Sequence, residues 1–383
     1  MIEEKYSRIY RLTKTKLVIG NGADLYCKMK TSYKDYFLSK TEINSILKNI
    51  IQLEYLSGRS DKNTIIDFLN EKLEQLVNKD VSVWYLFFYF DSYINSKIED
   101  EEIKWCDIES SMKKSFSKNR LDDSFWDDVF MELKSLNSID NIDNKYIIAT
   151  YIMKKGKYSI YSSESEFYDY LLLELKKFET NFSSYLNYIY YDNEKRNTYN
   201  FYKNELISKL LTQNTISIDT FNYTSPFLIN SLNNHKVTCW HINGSLEKDD
   251  EIIFGIDVDG INPDDNEYIF TKTCRRMLRN INLKIIKDFQ CESVIIFGHS
   301  LNKQDYSYFF SLFDNLDLIN PLSKSVVVFA YNIYDTNKKD NILKDFRVNV
   351  TNLMNSYCKY LGKDNLTLID TLSFQGRMIL YEI

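Results

Sequence analysis

Glycine is scarce in this chain, ten residues in 383, and proline scarcer, at three. Between residues 41 and 210 proline is absent and glycine stands only at Gly58 and Gly156. Little there interrupts a helical pattern except polar stretches such as Asn137 to Lys145. The six cysteines are scattered, the closest two being Cys274 and Cys291, and no C-x-x-C occurs. That excludes a zinc ribbon or a thioredoxin-type motif and fits a reducing compartment. Of three histidines, none stands in H-E-x-x-H, H-x-x-x-H or R-x-x-x-x-H spacing, and there is no P-loop. Long apolar runs are missing too. The most apolar, Val81 to Phe90 (VSVWYLFFYF), is about half the ~20 residues of a membrane span and reads as a buried helix. The opening MIEEKYSRIYRLTK has no apolar core of a signal peptide. No excess of positive charge exists either: the net charge is −6, and no basic footprint asks for nucleic acid. A soluble, cytoplasmic protein without a membrane partner is expected.

What is present is ample aromatic and aliphatic material for a full core, with 30 Tyr and 24 Phe, in a length that allows two or three domains. From about residue 41 to 210, apolar residues recur at three and four. Leu121, Phe125, Val129, Leu133 and Leu136 form one such series, and Leu171, Leu175, Phe178, Phe182, Tyr185 and Ile189 another. This helical block is acidic, with 22 basic against 29 acidic residues. Beyond 210 the rhythm changes. Short β-rich runs at Ile216–Phe221, Val237–Ile242, Ser293–Phe297, Ser325–Tyr331 and Leu366–Ile369 alternate with helical patterns at Ser225–Asn233, Asn266–Phe289, Asp305–Leu316 and Lys338–Leu361. The alternation predicts an α/β fold with a parallel sheet. Residues 1–40 supply its first strand, Leu17–Ile19, a glycine turn and a helix. Residues 41–210 are a helical insertion, and 211–383 complete the sheet.

Ligands of open α/β sheets bind outside the carboxyl ends of the strands. There this sequence places Gly20, Asn21, Gly22 and Asp24 after the first strand, then Asn222, Tyr223 and Thr224, then His241, Asn243 and Gly244, then Gly298, His299, Ser300 and Asp305. Glycines, small polar groups and two imidazoles at successive strand ends point to a nucleotide-type ligand and to no metal. Each residue also has a plainer reading. The G-N-G turn either cradles a phosphate or simply turns the chain into a helix capped by Asp24. Asn222 either meets the ligand or caps a helix starting near Pro226. His241 is a site residue or a core histidine. Asp24 and Asp305 read as N-caps or first-turn acids. The cluster Arg275, Arg276 and Arg279 either pairs with a phosphate or forms a solvated helix face, and His235 reads as surface. A serine hydrolase is excluded. Gly298-His299-Ser300 lacks the second glycine of the nucleophile elbow, where Asn302 stands, and no histidine follows the serine.

The fragments IGNGADL, TSYKDYF, WCDIE (Trp105–Glu109), LKKFETNFSSYL, FNYT, HINGSL and FGHSLNKQDYSYF together resemble the AbiH family of bacterial phage-defence proteins, in order and over nearly the whole chain. The resemblance implies abortive infection, in which the infected cell stops growing or dies before phage matures. The strand-end pattern is in turn similar to sirtuin-like, Rossmann-like NAD-consuming domains. That likeness implies that Gly20, Asn21 and Gly22 hold a pyrophosphate and that Asn222 lies at the nicotinamide ribose and orients water. It also implies that Gly298 and Ser300, with His299 and Asp305 beside them, face the adenosine side. The chain departs from the pattern where the family commonly reads H-I-H-G: here Asn243 takes the place of the second histidine, and His241 stands two residues earlier. An amide cannot serve as a general base in the way that a histidine with pKa near ~6.5 can. Two functions remain open. One is an NAD glycohydrolase, and the other is a non-catalytic module that senses a nucleotide or a phage component. The implied partners are an NAD-like nucleotide and a phage trigger, with homo-oligomer formation left open.

Overall fold

The computed structural model describes residues 13–56, 62–98, 108–117, 123–135, 142–156, 161–212, 214–225, 237–246, 250–278, 291–334, 336–362 and 365–383. The chain divides into two compact units. One comprises Met1–Thr31, Leu186–Ile252 and Arg276–Ile383, the other Ser32–Tyr185 and Ile253–Arg275.

The first unit is built on six parallel strands, β1 (Thr15–Ile19), β2 (Thr215–Thr220), β3 (Thr238–His241), β4 (Ser293–Phe297), β5 (Val326–Tyr331) and β6 (Met378–Glu382). Their order is β3-β2-β1-β4-β5-β6, the doubly wound order of a Rossmann-like sheet, with its switch point between β1 and β4. Strands covered on both faces become continuous apolar runs, and LVI, SVIIF and VVVFAY are such runs. Alternate side chains enter two cores. Leu17, Ile19, Ile295, Phe297 and Val328 face Tyr199, Leu206 and Leu210 of the helix Asn193–Leu210. Val18, Val294, Ile296, Val327 and Phe329 face Phe309, Leu312 and Phe313 of the helix Tyr306–Asn315, and Val350, Leu353 and Tyr357 of the helix Lys339–Tyr360.

The second unit is helical. Val81 to Phe90 is buried at every position, and it runs into the helix Val83–Ile98. Trp84 packs against Phe88, Phe116, Trp126 and Phe270 in tilted and edge-on contacts. Two buried ion pairs tie residues 253–275 to the helices: Lys272 Nζ donates to Glu109 at 2.7 Å, and Arg275 grips both oxygens of Glu179, Nη2 at 2.8 Å. Glu179 also accepts the Phe254 N–H at 2.6 Å. Arg275 is therefore not on a solvated helix face. Its charge is matched inside the core by a bidentate carboxylate.

Two sequence expectations need correction. Leu366–Ile369 is not a strand but lies within the helix Asn365–Phe374, and the sixth strand is Met378–Glu382. A short apolar run fits either period, and Leu366, Ile369 and Leu372 in fact repeat every three residues. The expected helix Asn266–Phe289 is broken. A 3-10 turn, Asn266–Phe270, ends at Thr271 in extended conformation (φ −72°, ψ 141°), and a helix restarts over Lys272–Leu278. Thr271 Oγ1 accepts the Cys274 N–H at 3.1 Å and so caps the restart. Residues 279–290 lie outside the described residues, as do 226–236, which contain most of the expected helix Ser225–Asn233, and Trp105 to Asp107.

Candidate functional site at the carboxyl ends of the strands

The first unit brings the expected strand ends side by side. His241 closes β3, Asn222 follows β2, the turn Gly20–Gly22 follows β1, and Gly298–Ser300 follows β4.

The two glycines after β1 are accounted for by what lies against them. A Cβ on Gly20 would stand 2.5 Å from the His299 Cα, and one on Gly22 would stand 2.6 Å from the Gly298 Cα. Gly298 itself has φ +67°, and its own Cβ would meet the Ala23 nitrogen at 2.6 Å. The β1 and β4 loops thus touch backbone to backbone, which only glycine allows. Three of the N–H groups there are also engaged. Gly20 N–H donates to the Phe297 carbonyl at 3.0 Å, Gly22 N–H to the Gly298 carbonyl at 2.7 Å, and Ala23 N–H to the Gly20 carbonyl at 3.0 Å. Asn21 is exposed, and its Oδ1 accepts the Thr31 hydroxyl at 2.8 Å.

Asp24 is not the N-cap. It lies inside the helix Gly22–Tyr26, 1% exposed, and Thr224 donates its hydroxyl to Oδ2. Burial pushes the Asp24 carboxyl above its usual range, opposed by the Thr224 hydrogen bond, the positive charge of Lys203, and the side chains of Asn222 and Thr31. Lys203, itself buried, donates to the Ser225 carbonyl at 2.9 Å. Nothing in the spacing of a lysine on a long helix announces this role. Asn222 is 4% exposed, and its amide lies near enough to act on Asp24. Yet neither Nδ2 nor Oδ1 of Asn222 completes a hydrogen bond among the described residues, nor does Asp24 Oδ1. Buried polar groups are rarely left so.

The two histidines have fixed and opposite tautomers. His241 Nδ1 lies 2.8 Å from the Asn222 carbonyl oxygen, which can only accept. Nδ1 therefore carries the proton, and in the neutral ring the lone pair is on Nε2. His299 Nδ1 accepts the Leu301 N–H at 2.9 Å, so its lone pair is used and its proton sits on Nε2, 3.3 Å from Asp305. The ring is wedged edge-on against Phe221 and Phe309. His299 and Asp305 thus shape the β4 loop, and Asp305 makes no side-chain cap of its helix. Ser300 is exposed, and its carbonyl accepts from Asn349 at 3.2 Å. Asn243, 5% exposed, accepts at Oδ1 from Arg276 Nη2 at 2.8 Å.

Beneath the site runs a network that no motif announces. Lys16 Nζ, 2% exposed, donates to both oxygens of Asp219 at 3.0 and 2.8 Å, and the Tyr308 hydroxyl donates to the same carboxylate at 2.6 Å. Burial, then the Asp219 charge, holds the Tyr308 phenol well above its ordinary range. A signal does exist in the sequence: a lysine and an aspartate of opposite charge each stand inside a strand that the sheet buries, where an unpaired charge is costly.

Among the described residues no group of three or more His, Cys, Asp or Glu could hold a metal ion, and no helix is long and apolar enough to cross a membrane. No curated protein and no solved structure matches the chain. The family model for bacteriophage abortive infection AbiH matches residues 17–327, a stretch that begins in β1 and ends in β5 and so contains every strand end described above. The chain belongs to the AbiH family of phage abortive-infection proteins.

Proposed function

We propose that the protein acts in abortive infection by binding an NAD-like nucleotide at these strand ends and hydrolysing NAD at its nicotinamide bond. The observation that carries this reading is the pairing of Asn222 with His241. A buried amide whose donor and acceptor have no hydrogen-bond partner among the described residues belongs to the same residue whose carbonyl holds the Nδ1–H of an imidazole. That is the arrangement of a water-positioning group and a general base. The Asn222 amide orients a water molecule toward the anomeric carbon of the nicotinamide ribose. As the C–O bond forms, the C–N bond to nicotinamide breaks, and its electron pair returns to the pyridinium nitrogen. The proton of the attacking water passes to His241 Nε2. Products are ADP-ribose, nicotinamide and a proton. His299 is not the base, because its Nδ1 lone pair is engaged and its other nitrogen is protonated.

The test is nicotinamide release by the pure protein, with and without phage lysate. His241→Ala is expected to lower the rate at least ~10²-fold, the lower part of what a positioned general base contributes. Asn222→Ala should do the same while leaving nucleotide binding measurable by calorimetry. Binding without release in the wild type would favour the sensing module. Absence of both would remove the nucleotide reading.

A further inference from the structure

Resting on the NAD-hydrolysis reading above, we infer that Asp24 is a positioning residue of the site: its carboxylate accepts the Asn222 Nδ2–H and so turns the amide oxygen of Asn222 to the attacking water.

β1 and β2 are parallel neighbours, with Ile19 opposite Thr220, so the segments that follow them leave the sheet side by side. Asp24 and Asn222 stand in those segments, 1% and 4% exposed. Thr224, two residues past Asn222, donates its hydroxyl to Asp24 Oδ2, which ties the segments together and leaves Oδ1 as the other acceptor of the carboxylate. Asp24 Oδ1, Asn222 Nδ2 and Asn222 Oδ1 complete no hydrogen bond among the described residues, although the amide lies near enough to act on Asp24. The main chain of Asn222 is held at both ends. Its N–H donates to the Thr220 hydroxyl at 3.1 Å, and its carbonyl meets His241 Nδ1 at 2.8 Å, so the amide is the part left to turn.

An amide has nearly the same shape either way round, and its partners decide which end faces where. Two pairings exist here. With Asp24 ionised, Oδ1 accepts from Nδ2, and Asn222 Oδ1 is the atom left over. It accepts one proton of the water and leaves an oxygen lone pair for the anomeric carbon. With Asp24 protonated, its hydroxyl donates to Asn222 Oδ1, and Nδ2 faces the water. There it occupies the lone pair that has to attack. The charge on Asp24 thus selects the productive amide. Burial opposes that charge, while the Thr224 hydroxyl, the Lys203 cation on the helix Asn193–Leu210, and the Asn222 and Thr31 side chains favour it. The titratable neighbours are Cys27, whose thiol is pushed up to about 12 by burial and then by the Asp24 charge, and His299, on the loop that packs against the glycine turn. Glu205, on the same helix as Lys203, acts on that thiol.

Nicotinamide release by the full chain across pH tests the catalytic role, and the Asn222 amide resonances test the contact. Asp24→Leu should lower kcat about 10- to 100-fold, as for loss of a hydrogen bond to a charged group, with KM for NAD little changed. Asp24→Asn should recover part of this, because its own amide oxygen accepts the same N–H. It should also remove one ionisation from the acid limb of the pH profile. Selective isotope labelling of asparagine nitrogen, with the Asn222 amide pair identified by its absence in Asn222→Ala, should show that pair shifting as Asp24 titrates. In Asp24→Asn the pair should stand still over the same pH range. Thermal melts report folding, and Asp24→Asn carries the test if Asp24→Leu does not fold. An amide pair that behaves alike in wild type and Asp24→Asn, or an acid limb that keeps its shape, overturns the assignment alone. No nicotinamide release by a wild type whose amide pair still follows Asp24 overturns the hydrolase reading and the catalytic role given to Asp24, and leaves the contact standing.

Discussion

Asp24 and Cys27 both lie buried under the glycine turn, and burial raises the pKa of each, the thiol to about 12. For Asp24 this has a consequence for stability. Its folded-state pKa lies above the usual value of 3.8, so the native protein keeps a proton that the unfolded chain has released. Stability from this group is complete below that value and is lost as pH rises toward the folded pKa. Asp24→Asn keeps the acceptor for Thr224 and removes the titration. The variant's melting temperature should gain on the wild type's as pH is raised above about 4. A gap that stays constant, or widens in favour of the wild type, would mean that Thr224 and Lys203 more than offset burial.

At the scale of elements, β1 and β2 are joined by backbone pairing and by Lys16–Asp219, an ion pair with side chains 2% and 4% exposed. Taking two charges out of water costs several kcal/mol each, so this pair adds little net stability, while losing one member strands the other. Lys16→Met should destabilise by about 3–5 kcal/mol. Lys16→Met with Asp219→Leu should recover most of that, leaving the Tyr308 hydroxyl unpaired at a cost of about 1–3 kcal/mol. Adding Tyr308→Phe should recover the remainder. Urea unfolding of the series checks this. A double variant as unstable as the single would show that the network is required for packing and not merely compensated. The same logic applies to Glu179 with Arg275 and Glu109 with Lys272. Each removes a charge cost that residues 253–275 would otherwise carry into the helical unit.

For the whole molecule, the order of strands matters more than their number. β1 comes first in the chain yet lies in the middle of the sheet, paired over Thr15–Ile19 with β4 on one side and with β2 on the other, where the register shifts between Thr15 and Lys16. The residues after it run through a helical unit before the chain returns at β2. A chain beginning at residue 211 retains β2 to β6 but leaves two buried strand edges unpaired. It should lack a cooperative melt and bind a hydrophobic dye. A sharp transition with native-like near-ultraviolet dichroism would show that β2 and β4 can close on each other without β1.

Much of this is legible in the sequence, for identifiable reasons. Parallel strands covered on both faces become short apolar runs, as in β1, β4 and β5, and β-branched and aromatic residues mark β2 and β3, so all five stand out within about two residues of their bounds, and the polar residues just past most strand ends can be read directly. The family fragments are legible because several of them are local devices, such as the capping box of Ser32 and Asp35 in TSYKDYF. β6 escapes a reading by pattern because five residues, MILYE, carry too little of it to separate strand from helix, and Leu366–Ile369 misleads for the same reason. Other properties belong to the tertiary structure alone. G-N-G reads equally as a phosphate cradle or a plain turn, and only the structure shows that its glycines also admit the Gly298 backbone against them. Two histidines look equivalent until a carbonyl fixes one tautomer and an N–H the other. Local sequence determines which backbone shapes are cheap. Contacts between residues far apart, Gly22 with Gly298, His241 with Asn222 and Arg276 with Asn243, determine which polar atoms remain for a ligand, because hydrogen-bonding capacity is settled only when every neighbour is in place.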